Sequence, residues 1–116
     1  MGIQQGEIIW MNFKFTDGSG EKIRPVLVIS NSSLEYLDEI IMLKITSVKR
    51  NDGFDYPLSP EMLLGGELAI PESVVRLNTV QSISTLIVDQ KKQGPWIKRK
   101  YLERIIDLFM EQIELE

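Results

Sequence analysis

Apolar residues recur convincingly at helical spacing only once in this sequence, at its end. Leu102, Ile105, Ile106, Phe109 and Ile113 form a stripe of that kind, which predicts a helix over residues 96–113. Upstream, apolar residues alternate with polar ones or come in short continuous runs, the two signatures of strands. Residues 7–15 read as a long strand, with Ile9, Met11, Phe13 and Phe15 on one face and Ile8, Trp10, Asn12 and Lys14 on the other. Residues 25–30 are continuously apolar up to Ser30 and predict a strand buried on both faces. Residues 40–46 make a third strand. Residues 55–58 make a short edge strand, because Pro57 cannot donate to a central ladder. Short strands are expected again at 73–77, 80–82 and 85–88. Between them lie a Gly-containing loop at 16–22 and a turn at 50–53. A helical turn over 31–37 is opened by Asn31-Ser32-Ser33, and another at 60–64 is closed by Gly65-Gly66. Residues 89–95 read as a linker. Five to seven strands followed by one helix predict a mainly β fold: a small barrel-like antiparallel sheet with a helix packed on it. At 116 residues, one domain spanning 1–116 is expected.

Composition narrows the chemistry such a fold can perform. The chain has no Cys and no His. Disulfides, thiolate zinc sites and cysteine nucleophiles are excluded. So are the commonest neutral-pH general base and every triad that depends on it. Asp52 and Asp55 could meet a hard cation, but no carboxylates have the spacing of a metal loop. Gly18-Ser19-Gly20 is too short for a dinucleotide fingerprint. Neither metal nor cofactor is expected. No apolar run approaches the ~20 residues of a membrane span, and the first residues lack a signal-peptide pattern, so a cytoplasmic protein away from membranes is expected. The balance of 13 Lys+Arg against 17 Asp+Glu gives a net charge of −4, which at first argues against a nucleic-acid binder. The charge is uneven, however. From Gln90 to Arg104 six basic residues face only Glu103, a local charge of +5.

Three groups of residues could carry chemistry. In the segment 17–25, Arg24 stands directly before Pro25, which biases it toward an extended conformation and so aims its side chain. Its guanidinium fork matches phosphate or carboxylate oxygens. The ordinary alternative is an arginine capping the sheet edge or pairing with Asp17 or Glu21. Ile45-Thr46-Ser47 places two hydroxyls directly after a strand, where a plain turn is the alternative. The basic cluster from Lys91 to Arg104 includes Lys98-Arg99-Lys100 at the helix start, while Glu111, Glu114 and Glu116 stand at its end. That order runs against the helix dipole. It reads either as solvated charge or as a face for an acidic partner. Trp96 and Tyr101 nearby read either as core or as stacking platforms, with core the commoner use.

The block Gly6-Glu7-Ile8-Ile9-Trp10, followed by the run from Phe15 to Ser30 with its Arg24-Pro25 step, resembles the N-terminal half of the PemK/MazF toxins. Ile45-Thr46-Ser47 is similar to the motif after that family's third strand. Ser73-Val74-Val75-Arg76-Leu77 with Val80-Gln81-Ser82-Ile83 is similar to its late strand pair. The resemblance covers nearly the whole chain. It implies an SH3-like barrel with added helices, working as a homodimer. It also implies a metal-independent endoribonuclease that cuts single-stranded RNA at short sequences and is paired with an antitoxin in a type II system. Arg24 and Thr46 are then the catalytic positions. Asp17 and Glu21 are candidates for the base, and Ser19, Lys22, Ser47 and Gln81 for RNA contacts. Many relatives carry Glu five residues before the arginine, where this chain has Ser19. Such chemistry needs neither His nor Cys, since the RNA 2′-hydroxyl is the nucleophile. Two alternatives stand beside it: a degenerate, non-catalytic domain serving as antitoxin ligand or regulator, and a poison of a protein target like the related CcdB toxins. The latter end in Trp-Gly-Ile, whereas this chain ends in Ile113-Glu114-Leu115-Glu116.

Overall fold

A computed structural model describes residues 2–14, 18–68 and 71–116. Seven antiparallel strands form one sheet. They are β1 (Glu7–Lys14), β2 (Glu21–Val28), β3 (Glu39–Thr46), β4 (Asp55–Pro57), β5 (Leu63–Leu64), β6 (Val74–Ser84) and β7 (Val88–Ile97). Their order across the sheet is β4-β6-β3-β2-β1-β7-β5. One α-helix, α1 (Arg99–Glu111), follows. The mainly β fold with a C-terminal helix is the one the sequence predicts. Among the described residues no helix is long and apolar enough to cross a membrane.

The two outermost strands, β4 and β5, are separated in sequence only by residues 58–62. Seven strands laid flat would put the edges about 29 Å apart. The connection reaches at most about 20 Å when fully stretched, and here it contains the 3₁₀ turn Pro60–Met62. The sheet must therefore curl until its edges approach. Leu58, Met62 and Leu63 from this closing segment pack on the larger apolar cluster, so that cluster fills the curl. It is built from Ile8, Leu27, Leu43, Ile45, Val75, Leu77 and Ile97, with Leu102 and Ile105 of α1 laid against it. A second cluster, Ile9, Met11, Val26, Val28, Ile40, Met42 and Ile83, occupies the opposite face of the same strands. Val26, Leu27 and Val28 are fully buried, as a continuous apolar run in a central strand should be. Pro57 lies on edge strand β4. Asn31 caps its 3₁₀ turn (Ser32–Leu37), its Oδ1 accepting from the Ser33 amide at 3.0 Å.

Several expected elements differ. Residues 85–88, expected as a strand, are mostly a 3₁₀ turn (Thr85–Ile87), because the amide and hydroxyl of Thr85 both donate to the Asp38 carbonyl. The expected linker 89–95 lies within β7. Its polar composition hid a strand that exists through backbone pairing with β1, at Glu7–Trp96, Ile9–Gln93 and Met11–Val88, with irregular register between them. The helix starts at Arg99 rather than residue 96, since Trp96 and Ile97 are committed to pairing with Leu64 and Leu63 of β5. At the other end Ile113 is 60% exposed and leaves the apolar stripe. Residues 73–77 and 80–82 are parts of one strand, β6, whose irregularity at Asn78 and Thr79 reads as a break. β2 begins at Glu21, inside the expected loop 16–22; Phe15, Thr16 and Asp17 lie outside the described residues. The expected single-faced alternation of β1 fails at Ile8, which is as buried as Met11 because both faces of the strand are covered.

Gly94 sits where β7 crosses β1. A Cβ built there would collide with the Ile8 carbonyl, which is central backbone and cannot yield. Gly94→Ala is expected to destabilise the fold by about 1–3 kcal/mol. The check is a melting curve, with a fall on the order of 5 °C or more.

Candidate active site

One missing amide shapes the site. The Ile29 amide donates to the Ile41 carbonyl at 2.9 Å, so odd-numbered residues of β2 turn their backbone groups toward β3. Pro25 is the next odd position after Leu27, and it has no N–H to give. The β2–β3 ladder accordingly runs Val28–Met42, Leu27–Leu43, Val26–Lys44 and stops. Pairing of β2 with β1 continues to Glu21–Lys14. The start of β2 is thus held on one side and released on the other.

Arg24 and Thr46 flank this opening. Carrying the β2–β3 register two residues further sets them opposite one another. Both are half-buried, and both line the same two cavities, of about 150 and 480 Å³. The Thr46 Oγ1 accepts the Val48 amide at 3.1 Å, which fixes the hydroxyl's orientation and leaves its proton free to donate. Lys22 and Ser47 are exposed on the lip of the smaller cavity, and Trp10 and Pro25 also line it. Gln81 is exposed beside a third cavity, of about 340 Å³, which Arg24, Val26 and Met42 also line. The structure therefore brings together Arg24, Thr46, Lys22, Ser47 and Gln81. Ser19 is exposed in the approach to β2 and lines none of these cavities. Asp17 and the side chain of Glu21 lie outside the described residues, so neither expected base is placed.

Sequence reading missed Lys44, Arg50, Arg76, Asn78 and Thr79, which complete the 480 Å³ cavity with Val48 and Asp52. Lys44 was detectable. It interrupts an apolar strand two residues before Thr46, so it shares that residue's face. Opposite it, β6 carries four residues between Val75 and Val80 where β3 carries one between Ile45 and Leu43. This irregularity places Asn78 and Thr79 on the cavity wall. Arg76 could not be anticipated, since its carboxylate partners lie more than 20 positions away in sequence. It is 5% exposed. Its Nη1 donates to Asp52 Oδ1 at 2.8 Å and to Asp55 Oδ1 at 2.6 Å. Its Nη2 donates to Asp52 Oδ2 at 2.9 Å and to Asn78 Oδ1 at 3.0 Å. Asp55 Oδ2 in turn accepts the amides of Arg50 and Asn51, at 2.7 and 3.0 Å, which folds the loop that carries Arg50 to the cavity.

The electrostatics follow from this division of labour. Among the described residues, the carboxylates in ion-pair contact on this face belong to Arg76, and none pairs with Arg24, Lys44 or Arg50. Partial burial, and then the guanidiniums of Arg24, Arg50 and Arg76, hold the Lys44 ammonium below the ordinary lysine range. Hydrogen bonds from Arg76 hold Asp52 and Asp55 well below the usual carboxylate range. Such a site favours a phosphate, which offers several oxygens to convergent cationic donors. Among the described residues no three carboxylates gather to hold a metal ion.

Of the basic cluster, Lys98, Arg99, Lys100 and Arg104 line none of these cavities. Arg99, Lys100 and Arg104 are exposed, and Arg99 pairs with Glu103 at 3.2 Å. The side chains of Lys91 and Lys92 lie outside the described residues. Tyr101 packs against the larger core cluster, with the Lys100 ammonium 5.0 Å from its ring, and half-buried Trp96 lies against Gly65.

The two carboxylates give the fold a defined acid limb. Their folded values lie below the unfolded ones, so their stabilisation is complete above about pH 4 and lost as the pH falls through the lowered folded values. Asp52→Asn is expected to lower stability at pH 6 and to flatten the decline in melting temperature between pH 4 and pH 2. Thermal melts across that range check it.

A family model for the PemK-like, MazF-like toxin of type II toxin–antitoxin systems matches residues 4–113. No curated protein matches the sequence significantly. Solved structures share the fold at low identity. A MazE–MazF complex from Deinococcus radiodurans aligns at TM-score 0.76 and 16% identity, covering 98% of each chain. An endoribonuclease bound to its cognate antitoxin, from a mycobacterial species, aligns at 0.71 and 9%, covering 99% of this chain and 98% of that one. The Mycobacterium tuberculosis toxin MazF-mt6 aligns at 0.65 and 16%, covering 93% and 98%. With that match running over nearly its whole length, the chain belongs to the PemK-like, MazF-like family of type II toxins.

Proposed function

We propose that this protein is the toxin of a type II pair and acts as a metal-independent endoribonuclease on single-stranded RNA. The observation that carries the reading is the pairing of Arg24 with Thr46 across the opening beside Pro25, where both line the same cavities. Transfer to the 2′-hydroxyl suits a chain without His or Cys, because the substrate supplies the nucleophile. The enzyme then has to stabilise charge on the phosphorane and manage two protons. Arg24 donates to the non-bridging oxygens, and the oriented Thr46 hydroxyl adds a further donor. Lys22 and Ser47 meet the phosphate or its neighbours on the lip, and Gln81 meets RNA along the adjoining cavity. The protein works in the cytoplasm as a homodimer, and an antitoxin segment occupies the same groove. Two of the structural neighbours are toxin–antitoxin complexes, which supports that partner.

Incubation of the purified protein with long single-stranded RNAs in excess EDTA tests this. Cleavage is expected at short recurring sequences, leaving 2′,3′-cyclic phosphate and 5′-hydroxyl ends, with none where the 2′-hydroxyl is removed. Arg24→Ala should cut about 10²–10³-fold more slowly with an unchanged melting temperature. Intact RNA across broad sequence space, or full activity in Arg24→Ala, would overturn the reading.

A further inference from the structure

We infer that Lys44 is the general acid of this site, protonating the 5′-oxygen as it leaves; the inference rests on the ribonuclease reading above. Three observations carry it. Lys44 occupies the last rung of the β2–β3 ladder, opposite Val26, so its side chain is on the face that Arg24 and Thr46 share. It lines two of the three cavities that meet at Arg24, the 340 Å³ one toward Gln81 and the 480 Å³ one toward Arg50. It is thus set beside the phosphate that Arg24 would hold, with room for a nucleotide on either side. Finally, among the described residues that line these two cavities, few other groups can give up a proton. Among the described residues, the groups that line these two cavities with Lys44 are Arg24 from β2, Arg50 and Asp52 from the loop after β3, and Arg76, Asn78 and Thr79 from β6, with Gln81 further along.

Their chemistry singles out the lysine. A guanidinium is too weak an acid to release a proton near neutral pH. Asp52 is held ionised by Arg76 and has no proton to give. Amides and hydroxyls stay neutral. An ammonium flanked by three guanidiniums gives up its proton more readily than an ordinary lysine does. In the step, the 2′-oxygen bonds to phosphorus and its proton passes to solvent water. The P–O5′ bond breaks, and the 5′-oxygen takes a proton from Lys44 Nζ. Solvent then returns a proton to the neutral amine. No oxidant, metal or further reactant is needed.

The test uses a short RNA containing a mapped cleavage site, made with its natural 5′-oxygen or with a single bridging 5′-sulfur at the scissile bond. A thiolate leaves without protonation. Lys44→Met is expected to cut the oxygen substrate about 10²–10⁴-fold more slowly than wild type. On the sulfur substrate it should come within a few-fold of wild type. Lys44→Arg keeps the charge but is a poor acid. It should bind an RNA lacking the scissile 2′-hydroxyl as wild type does and still cut the oxygen substrate slowly. Wild-type activity should fall at alkaline pH on the oxygen substrate, and that fall should be absent with sulfur. Equal losses on both substrates would reduce Lys44 to a binding residue and overturn the inference, as would full activity in Lys44→Met. If wild type cuts neither substrate, the ribonuclease reading itself fails.

Discussion

A connection of five residues between the two edges of a seven-stranded sheet is the constraint on which this molecule depends. Residues 58–62 cannot span the width of a flat sheet, so the sheet bends, and bending gives it an inside. Ile8, Leu27, Leu43 and Val75 fill that inside, and α1 lays Leu102 and Ile105 against it. With one face of every central strand committed to this core, the period of two sends the alternate residues to the other face. Along most of β2 and β3 these are apolar too: Val26 and Val28, Ile40 and Met42. Only toward the end of the ladder do they become Arg24, Lys44 and Thr46. The site is the polar end of a face that is otherwise core.

An acidic chain can carry such a site because the described carboxylates nearest to it are already engaged. Asp52 stands at the cavity, yet it and Asp55 are both engaged by Arg76. That network has a structural job. Buried Arg76 ties the loop 50–55 to β6, and Asp55 folds the loop by accepting the amides of Arg50 and Asn51. Arg50 thereby arrives beside Lys44. The net charge of −4 describes the average of the chain and says little about this face. Among the described residues no carboxylate pairs with Arg24, Lys44 or Arg50, and a partly buried setting weakens solvent screening of their charge.

How much of this could be read in advance depended on whether the signal was local. The strands at 25–30, 40–46 and 55–58 were legible because their own residues carry the burial pattern or the proline that defines them. The strand β7 was not, since Lys91-Lys92-Gln93-Gly94 has no apolar alternation, while its backbone pairs with β1. The turn at 85–87 depends on the carbonyl of Asp38, 47 residues earlier. At the site, Arg24 and Thr46 stood out through the Pro25 step and the paired hydroxyls. Lys44 had a local signal, a charge at an alternate position of an apolar strand, which only the opening beside Pro25 makes meaningful. Arg76 had none, because a buried arginine is explained by its partners.

The clustering of cations also says what the site is for in energetic terms. Lys44 is held below its ordinary protonation range first by burial and then by three neighbouring guanidiniums, whose share of the shift is electrostatic repulsion. Repulsion of this kind lowers the stability of the folded chain, and a sheet could avoid it by placing a valine or threonine at that rung. Keeping a lysine there makes physical sense when an anion occupies the site during function. A phosphodiester placed between Arg24 and Lys44 turns mutual repulsion into shared attraction and draws the lysine back toward its protonated form. The proton it would give to a leaving oxygen is then held most firmly before bond cleavage. As charge moves from the phosphorane to the 5′-oxygen, that oxygen becomes the stronger base and can take it. Repulsion among these cations thus biases the site toward an anionic ligand.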